Sequence, residues 1–250
     1  MTLSTLTTDL NCDMGEGMST DEAIMPFITS TNIACGYHAG DKTIMQRTID
    51  LAIKYGVAIG AHPGFDDKAN FGRTEKHLTS TEIYQLVFKQ VQDLRNMCVE
   101  SKVSLHHVKP HGALYNMAAK NADMSKAIAQ SVADIDPRLI LYGLSGSQLI
   151  TQAKVVGLRT ASEVFADRTY QNDGSLTPRS QSNAFITNMQ QSVQQVMQMI
   201  QHQTVTSVEQ STVAIKADTI CLHGDGDHAV DFAKVIHQTL QQHQIEIKSI

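Results

Sequence analysis

The chain is predicted to be an α/β protein in which parallel strands alternate with helices around a barrel, and three observations lead there. Apolar segments of strand length alternate with segments whose apolar residues recur at helical spacing, from Leu6 to Leu240. Such alternation implies parallel strands joined by right-handed crossovers. About seven βα units can be counted, which suits a barrel or distorted barrel better than a small open sheet. Polar clusters also recur at the carboxyl ends of the predicted strands, where barrels keep their chemistry.

Leu6–Asn11 reads as the first strand, followed by a loop with two glycines and two carboxylates, Asp13-Met14-Gly15-Glu16-Gly17. Asp21–Phe27 reads as a short helix and Thr31–Cys35 as the second strand. A helix with Met45, Ile49, Ala52 and Ile53 on one face leads to the strand Val57–Ala61. A helix from Ser80 follows, with the stripe Ile83, Val87, Val91, Leu94 and Cys98. The strand Val103–Val108 then delivers Lys109-Pro110-His111-Gly112. Pro110 lacks a donor and Gly112 permits a tight exit, so the strand stops there. Ala122–Val132 reads as helix, Leu139–Leu144 as strand, and a helix through Leu149, Ile150, Ala153 and Val156 stops at Gly157. Thr160–Phe165 is a strand before a long polar loop, Gln171–Ser180, whose length suggests function. A glutamine-rich helix carries Met189, Val193, Val196, Met197 and Ile200. Asp218–Leu222 is the last strand, and Ala229, Val230, Ala233, Ile236 and Leu240 face inward from the last helix. No linker, repeat or boundary divides residues 1–250, so one barrel domain is expected.

At 42% apolar and 18% charged the composition is that of a soluble globular chain, long enough at 250 residues to bury a core. A net charge of −5 without a basic stripe argues against nucleic-acid binding. No apolar run approaches membrane-spanning length, and the first nine residues lack a signal peptide's pattern. The four cysteines form no CxxC pair, so a reducing cytoplasm is the expected home.

The strand-end clusters are Asn11/Asp13/Glu16, His38/Asp41, His62/Asp66/Asp67, Lys109/His111 and His223/Asp225. Any one histidine alone reads equally well as structural, satisfied by a backbone hydrogen bond. Their shared place in the architecture is what favours chemistry, because all five clusters then converge on one rim. Away from the strand ends, His77, His202, His237 and His243 read as solvated. Lys109, at an apolar strand end, must be paired, shifted in pKa or reaching solvent. Arg168 and Arg179 bracket the long loop and read either as surface charges or as an anion clamp. Gly36, Gly40, Gly60, Gly64, Gly112 and Gly224 read as turn glycines or as bare amides beside an oxyanion. There is no GxxxxGK[ST], GxGxxG or GxSxG motif, and the cysteines read as buried hydrophobes rather than nucleophiles. Carboxylate–imidazole chemistry that activates water fits this inventory.

The stretches DLNCDMGEG (Asp9 to Gly17), NIACGYHAGD (Asn32 to Asp41), GAHPGFDD (Gly60 to Asp67), HVKPHGALYN (His107 to Asn116), EVFADRTY (Glu163 to Tyr170) and LHGD (Leu222 to Asp225) resemble, in order, the LamB/YcsF family of ATP-dependent 5-oxoprolinase A subunits. The segment after Gly17 is shorter than the family's, Thr74 follows Arg73 where the family often doubles the arginine, and Gly226-Asp227 stand in place of a common Thr-Pro. The resemblance implies a cytoplasmic enzyme that cleaves 5-oxo-L-proline to L-glutamate, driven by hydrolysis of ATP with Mg2+, with B and C subunits as partners. It implies Asp13 or His62 as base and His111 or His223 as acid. Lys109 or Arg179 would bind the substrate carboxylate or phosphoryl oxygens, and Asn11, Glu16, His38, Asp41 and Arg168 complete the expected binding set.

A more distant resemblance is to polysaccharide deacetylases and their distorted seven-stranded barrel. His62 matches the first histidine of their metal motif, Asp66 replaces the second, Lys109-Pro110-His111 is similar to their Arg-Pro-Pro turn, and His223 matches their last-strand histidine. This implies a divalent metal held by Asp13, His62 and Asp66. Two alternatives stay open: a stand-alone metal-dependent deacetylase or amidohydrolase, and a non-catalytic lactam-binding subunit.

Overall fold

The computed structural model describes residues 6–223 and 228–250. Seven parallel strands close a barrel: β1 (Thr7–Met14), β2 (Ser30–Ala34), β3 (Ala58–His62), β4 (Leu105–Val108), β5 (Ile140–Leu144), β6 (Arg159–Phe165) and, after the hairpin β7 (Thr204–Thr206) and β8 (Thr212–Ala214), β9 (Thr219–Leu222). Closure comes from β1, which pairs with β2 on one side and with β9 on the other, Asp9 opposite Thr219 and Cys12 opposite Leu222. A two-residue strand, β10 (Glu246–Ile247), extends the same side of β1 at Thr7 and Thr8. Each expected barrel strand is present, with ends shifted by up to three residues.

Helices wrap the outside: α1 (Asp21–Ile24), α2 (Lys42–Tyr55), α3 (Ser80–Glu100), α4 (Gly112–Ala118), α5 (Ala122–Ile135), α6 (Gln148–Val156), α7 (Met189–His202) and α8 (Ala229–Gln242). Their starts follow local chemistry. Asp41 caps α2 by accepting from the Ile44 N–H at 2.9 Å, and Thr79 with Glu82 forms a reciprocal capping box on α3. Gly56 ends α2 in the left-handed region at φ 69°, and Gly157 ends α6 at φ 93°, conformations a side chain disfavours. The α2 stripe holds at Met45, Ile49 and Ala52 but not at Ile53, which is 45% exposed because the stripe drifts past the contact by the last turn.

Three elements were not expected from the sequence. The short helix α4 begins at Gly112, directly after the lysine–histidine turn, where the strand pattern ends at Pro110. The β7–β8 hairpin lies in a polar stretch without strand alternation. Its neighbour Val208 donates from N–H to the Tyr170 carbonyl at 2.8 Å, which fastens the hairpin to the long loop. The two-residue β10 is too short to leave a pattern.

The barrel interior is polar in layers, set by the two-residue period of the strands. On β1, Leu10, Cys12 and Met14 join the apolar core under the helices, while Asp9, Asn11 and Asp13 alternate inward. At the lowest layer Asp9 accepts from Thr29, Ser30, Tyr142 and Thr219 hydroxyls at 2.6 to 3.1 Å. Burial raises its pKa and those four donors oppose the rise. In the middle layer Asn11 Nδ2 donates to Thr219 Oγ1 at 2.7 Å, and His107 Nε2–H donates to Asn32 Oδ1 at 2.8 Å. The His107 ring stacks on Tyr142 with centroids 4.1 Å apart. Gly60 lies against it so closely that a Cβ there would stand 2.1 Å from His107 Nε2, so only glycine fits. The third layer is the floor of the site. Among the described residues, no helix is long and apolar enough to cross a membrane.

Candidate active site

Lys109 follows β4 and turns its ammonium into the top of the barrel, where its side chain is 3% exposed. Nζ lies 2.8 Å from Asp13 Oδ1 and 2.8 Å from Glu163 Oε1, and also contacts Asn11 Oδ1 at 3.2 Å and Cys221 Sγ at 3.1 Å. Burial alone would push the lysine pKa down; Asp13, Cys221 and Glu163 outweigh it and raise it well above the usual value. Glu163 is fully buried and also accepts from the Tyr115 hydroxyl at 2.7 Å. The charge is therefore already paired, and Lys109 acts on the carboxylates beside it rather than reaching for an anion in the cleft.

Asp13 is the best-held carboxylate of the floor. Oδ1 accepts from Lys109 and, at 2.8 Å, from Asn32 Nδ2, while Oδ2 faces His62 Nε2 at 3.3 Å. Burial works to raise its pKa, but His62 and Lys109 outweigh it and hold the carboxyl well below the usual range. His62 Nδ1–H donates to the Lys109 carbonyl at 2.7 Å, which fixes the ring and turns Nε2 toward Asp13.

Beside them stands a second group, Glu16, His38 and His111. The His38 and His111 rings are stacked, centroids 3.8 Å apart, and both present an edge to His62. Their Nε2 atoms lie 3.5 and 3.8 Å from Glu16 Oε1. Burial, then His62, pushes the His38 pKa down to about 3, and the same two causes push His111 down as well. On the far side, His223 Nδ1–H is held by both Asp167 oxygens at 2.8 Å, and its Nε2 lies 3.4 Å from Arg179 Nη2. Burial raises the Cys221 thiol well above its ordinary pKa in spite of Lys109, which leaves it a poor nucleophile.

A cleft of 790 Å³ opens over this floor, with Asp13, Glu16, His62 and His111 at its base. Arg73, Lys120, Arg179 and His223 stand around its sides, so the rim offers several cations for an anionic ligand. His77, expected to be solvated, is exposed but belongs to this rim. His237, also expected to be solvated, is half-buried instead, its Nδ1 bonded to the Phe27 carbonyl at 3.0 Å.

The structure thus brings Asp13, Glu16, His38, His62, Lys109, His111, Arg179 and His223 around one cleft. Asn11 lies directly beneath, holding Lys109. Three expected site residues are placed differently. Asp41 is an exposed helix cap outside the cleft lining, its Oδ1 accepting from the first turn of α2. Asp66 is exposed and belongs to neither cluster of closely spaced potential metal ligands, so the triad of Asp13, His62 and Asp66 does not form. Buried Arg168 lines the cleft wall, but its guanidinium is committed to two loop carbonyls, Thr177 at 2.6 Å and Ala184 at 3.1 Å. Asp67 serves its own loop, accepting from Asn70 at 2.8 Å. Asp225 lies outside the described residues.

Glu163, Asn32, His107, Asp167 and Tyr115 were not singled out from the sequence. The available signal was polar residues at alternate positions of apolar strands, Asp9/Asn11/Asp13, Ser30/Asn32 and His107/Lys109, which puts them on one face of each strand without saying that the face is inward.

Barrel and floor together define a parallel (β/α)7-barrel protein with a carboxylate–imidazole site. The chain belongs to the LamB/YcsF family, which it matches over residues 8–250. It is 53% identical to the 5-oxoprolinase A subunit of Tolumonas auensis over 247 residues, 97% of this chain and 98% of that one. It is likewise 53% identical to the 5-oxoprolinase A subunit of Geobacillus kaustophilus, over 97% of this chain and 96% of the relative. Among solved structures, the lactam utilization protein of Thermus thermophilus superposes with a TM-score of 0.93 at 36% identity, covering 98% of this chain and 100% of that one. The catalytic domain of a peptidoglycan N-acetylglucosamine deacetylase from Eubacterium rectale shares the fold, with a TM-score of 0.54 at 12% identity over 100% and 90% of the two chains.

Proposed function

We propose that the chain opens the ring of 5-oxo-L-proline to give L-glutamate, as the A subunit of an ATP-dependent 5-oxoprolinase completed by B and C subunits. The observation that carries the reading is Asp13, held anionic between His62 and Lys109 at the base of a cation-rimmed cleft, in a chain 53% identical to 5-oxoprolinase A subunits.

A five-membered lactam is a stable amide. Phosphorylation of its carbonyl oxygen by ATP with Mg2+ turns it into an imidate whose ring carbon accepts water. Asp13 takes one proton as the water oxygen bonds to that carbon, and His223, oriented through Nδ1 by Asp167, gives one from Nε2 to the nitrogen that receives the C=N pair. The hydroxyl of the adduct then hands its proton to His223 and re-forms the carbonyl as the C–N bond breaks, and His223 passes that proton to the departing nitrogen. The acyl phosphate left behind is hydrolysed by a second water to glutamate and phosphate. Arg179, with Arg73 and Lys120, faces the substrate carboxylate and phosphoryl oxygens.

The test is glutamate release from 5-oxoproline with ATP and Mg2+, for this chain alone and mixed with B and C subunits. Release is expected only in the complete mixture. Turnover without ATP, or a complete mixture indifferent to loss of this chain, overturns the reading.

A further inference from the structure

We propose that Glu16, His38, His62 and His111 form a binding site for one divalent transition-metal ion, of the class that prefers imidazole nitrogen. Each residue offers one ligand atom, and these atoms all lie within 4.8 Å of one another. Three imidazoles and a carboxylate suit Zn2+, Co2+, Mn2+ or Fe2+; Mg2+ and Ca2+ prefer all-oxygen shells.

The histidines carry the argument because their nitrogens are buried and unsatisfied. His38 and His62 are 1% exposed and His111 6%. Among the described residues, His38 Nδ1 and Nε2, His62 Nε2 and His111 Nδ1 have no hydrogen-bond partner. Buried polar atoms are almost always satisfied, and His38 Nε2 and His62 Nε2, unpartnered on neighbouring rings, call for a ligand. The contacts to Glu16, at 3.5 and 3.8 Å, are too long for hydrogen bonds but close to the spacing of ligand atoms around one small cation.

His62 also shows the arrangement that metal-binding histidines share. One ring nitrogen donates to a backbone carbonyl, here that of Lys109, which fixes the ring; a metal would take the other, Nε2, in place of its contact with Asp13. The surroundings are shaped to two of the rings. A Cβ on Gly64 would lie 2.7 Å from His38 Nδ1, and one on Gly72 2.9 Å from His111 Nδ1. Bare glycine backbone therefore covers the Nδ1 edges and leaves the Nε2 edges toward Glu16. Phe71 packs edge-on against both rings. Glu16, His62 and His111 line the cleft, so an ion has a way in.

The inference goes beyond the lactam reading and does not depend on it, since the readout is metal held by the isolated chain rather than turnover.

The purified full-length chain, stripped with chelator, is dialysed against Zn2+ or Co2+, and bound metal is counted. One equivalent is expected, with X-ray absorption of the zinc form showing three nitrogens and one oxygen from the protein. His38→Gln and His111→Gln should each weaken binding at least tenfold, while Asp66→Asn should leave it unchanged. Near-UV circular dichroism of the metal-free variants reports whether they fold, and the absorption spectrum of the unmodified protein decides the case if they do not. Binding well below one equivalent, a first shell without histidine nitrogen, or binding lost in Asp66→Asn but kept in folded His38→Gln overturns the proposal.

Discussion

Lys109 is the residue on which the floor turns. Its ammonium is shared by Asp13 and Glu163, two carboxylates that would otherwise face each other inside the barrel. Lys109→Met keeps the length and removes the charge. It should destabilise the fold by about 3–5 kcal/mol, the usual consequence of leaving buried charges unpaired. Urea unfolding checks this, and the loss should shrink in acid as the carboxyls protonate. Asp13→Asn tests the chemistry instead: glutamate release in the reconstituted enzyme should fall by roughly 10²–10⁴, and an unchanged rate would remove Asp13 from the scheme. The place of Lys109 was legible in the sequence, since a lysine closing an apolar strand needs a partner. Which partner was not. Glu163 sits within an apolar strand far along the chain, and only closure of the barrel aims it at the same point. Asp66 misled for the opposite reason: spacing from His62 suggested a ligand, but the loop carries it out to solvent.

At the scale of elements, the long polar loop after β6 is an ordered strap. Arg168 ties its two arms together through the Thr177 and Ala184 carbonyls, and Tyr170 holds the hairpin of β7 and β8 against it. Arg179 and His223 meet under that strap at the cleft wall. Arg168→Ala should loosen the loop while leaving the barrel folded. Limited proteolysis should then cut within residues 171–187 several-fold faster than in the parent chain, and an unchanged cleavage pattern would show the strap to be held by other contacts. The length of the loop and its bracketing arginines could be read from the chain. The clasp could not, because it is made with main-chain carbonyls, which no side-chain pattern announces. The helix α4 was hidden in the same way: it starts on the glycine that the proline and histidine before it make look like a turn.

For the whole molecule, the polar interior couples stability to pH. Burial, helped by His106 and Lys109, lowers the His107 pKa well below its usual value. The unfolded chain takes up a proton on this residue near pH ~6.5 and the folded chain does not. Its contribution is therefore intact above that pH and is lost as pH falls below it, by about 1.4 kcal/mol per pH unit. Urea unfolding at several pH values between neutral and mildly acidic should show this slope. His107→Gln, although less stable at neutral pH, should lose stability less steeply by that amount. An identical slope in the variant would assign the acid sensitivity elsewhere. Strand order and barrel class were legible because helical and strand periods alternate so regularly. The hydrophilic interior was not, because a barrel core is expected to be apolar and the polar residues on alternate strand positions look like solvent-facing ones.

The seam between β1 and β9 has a consequence during synthesis. Strand β1 waits for β9 before its second edge is paired. Until residues 219–222 emerge, the nascent sheet has two open edges, and Asp9 lacks its Thr219 donor. A chain stalled short of that point is a half-built sheet with a buried acid uncapped, well suited to sticking to its neighbours. Chaperone demand for this protein should therefore track the time between synthesis of β1 and of β9 rather than the length of the chain.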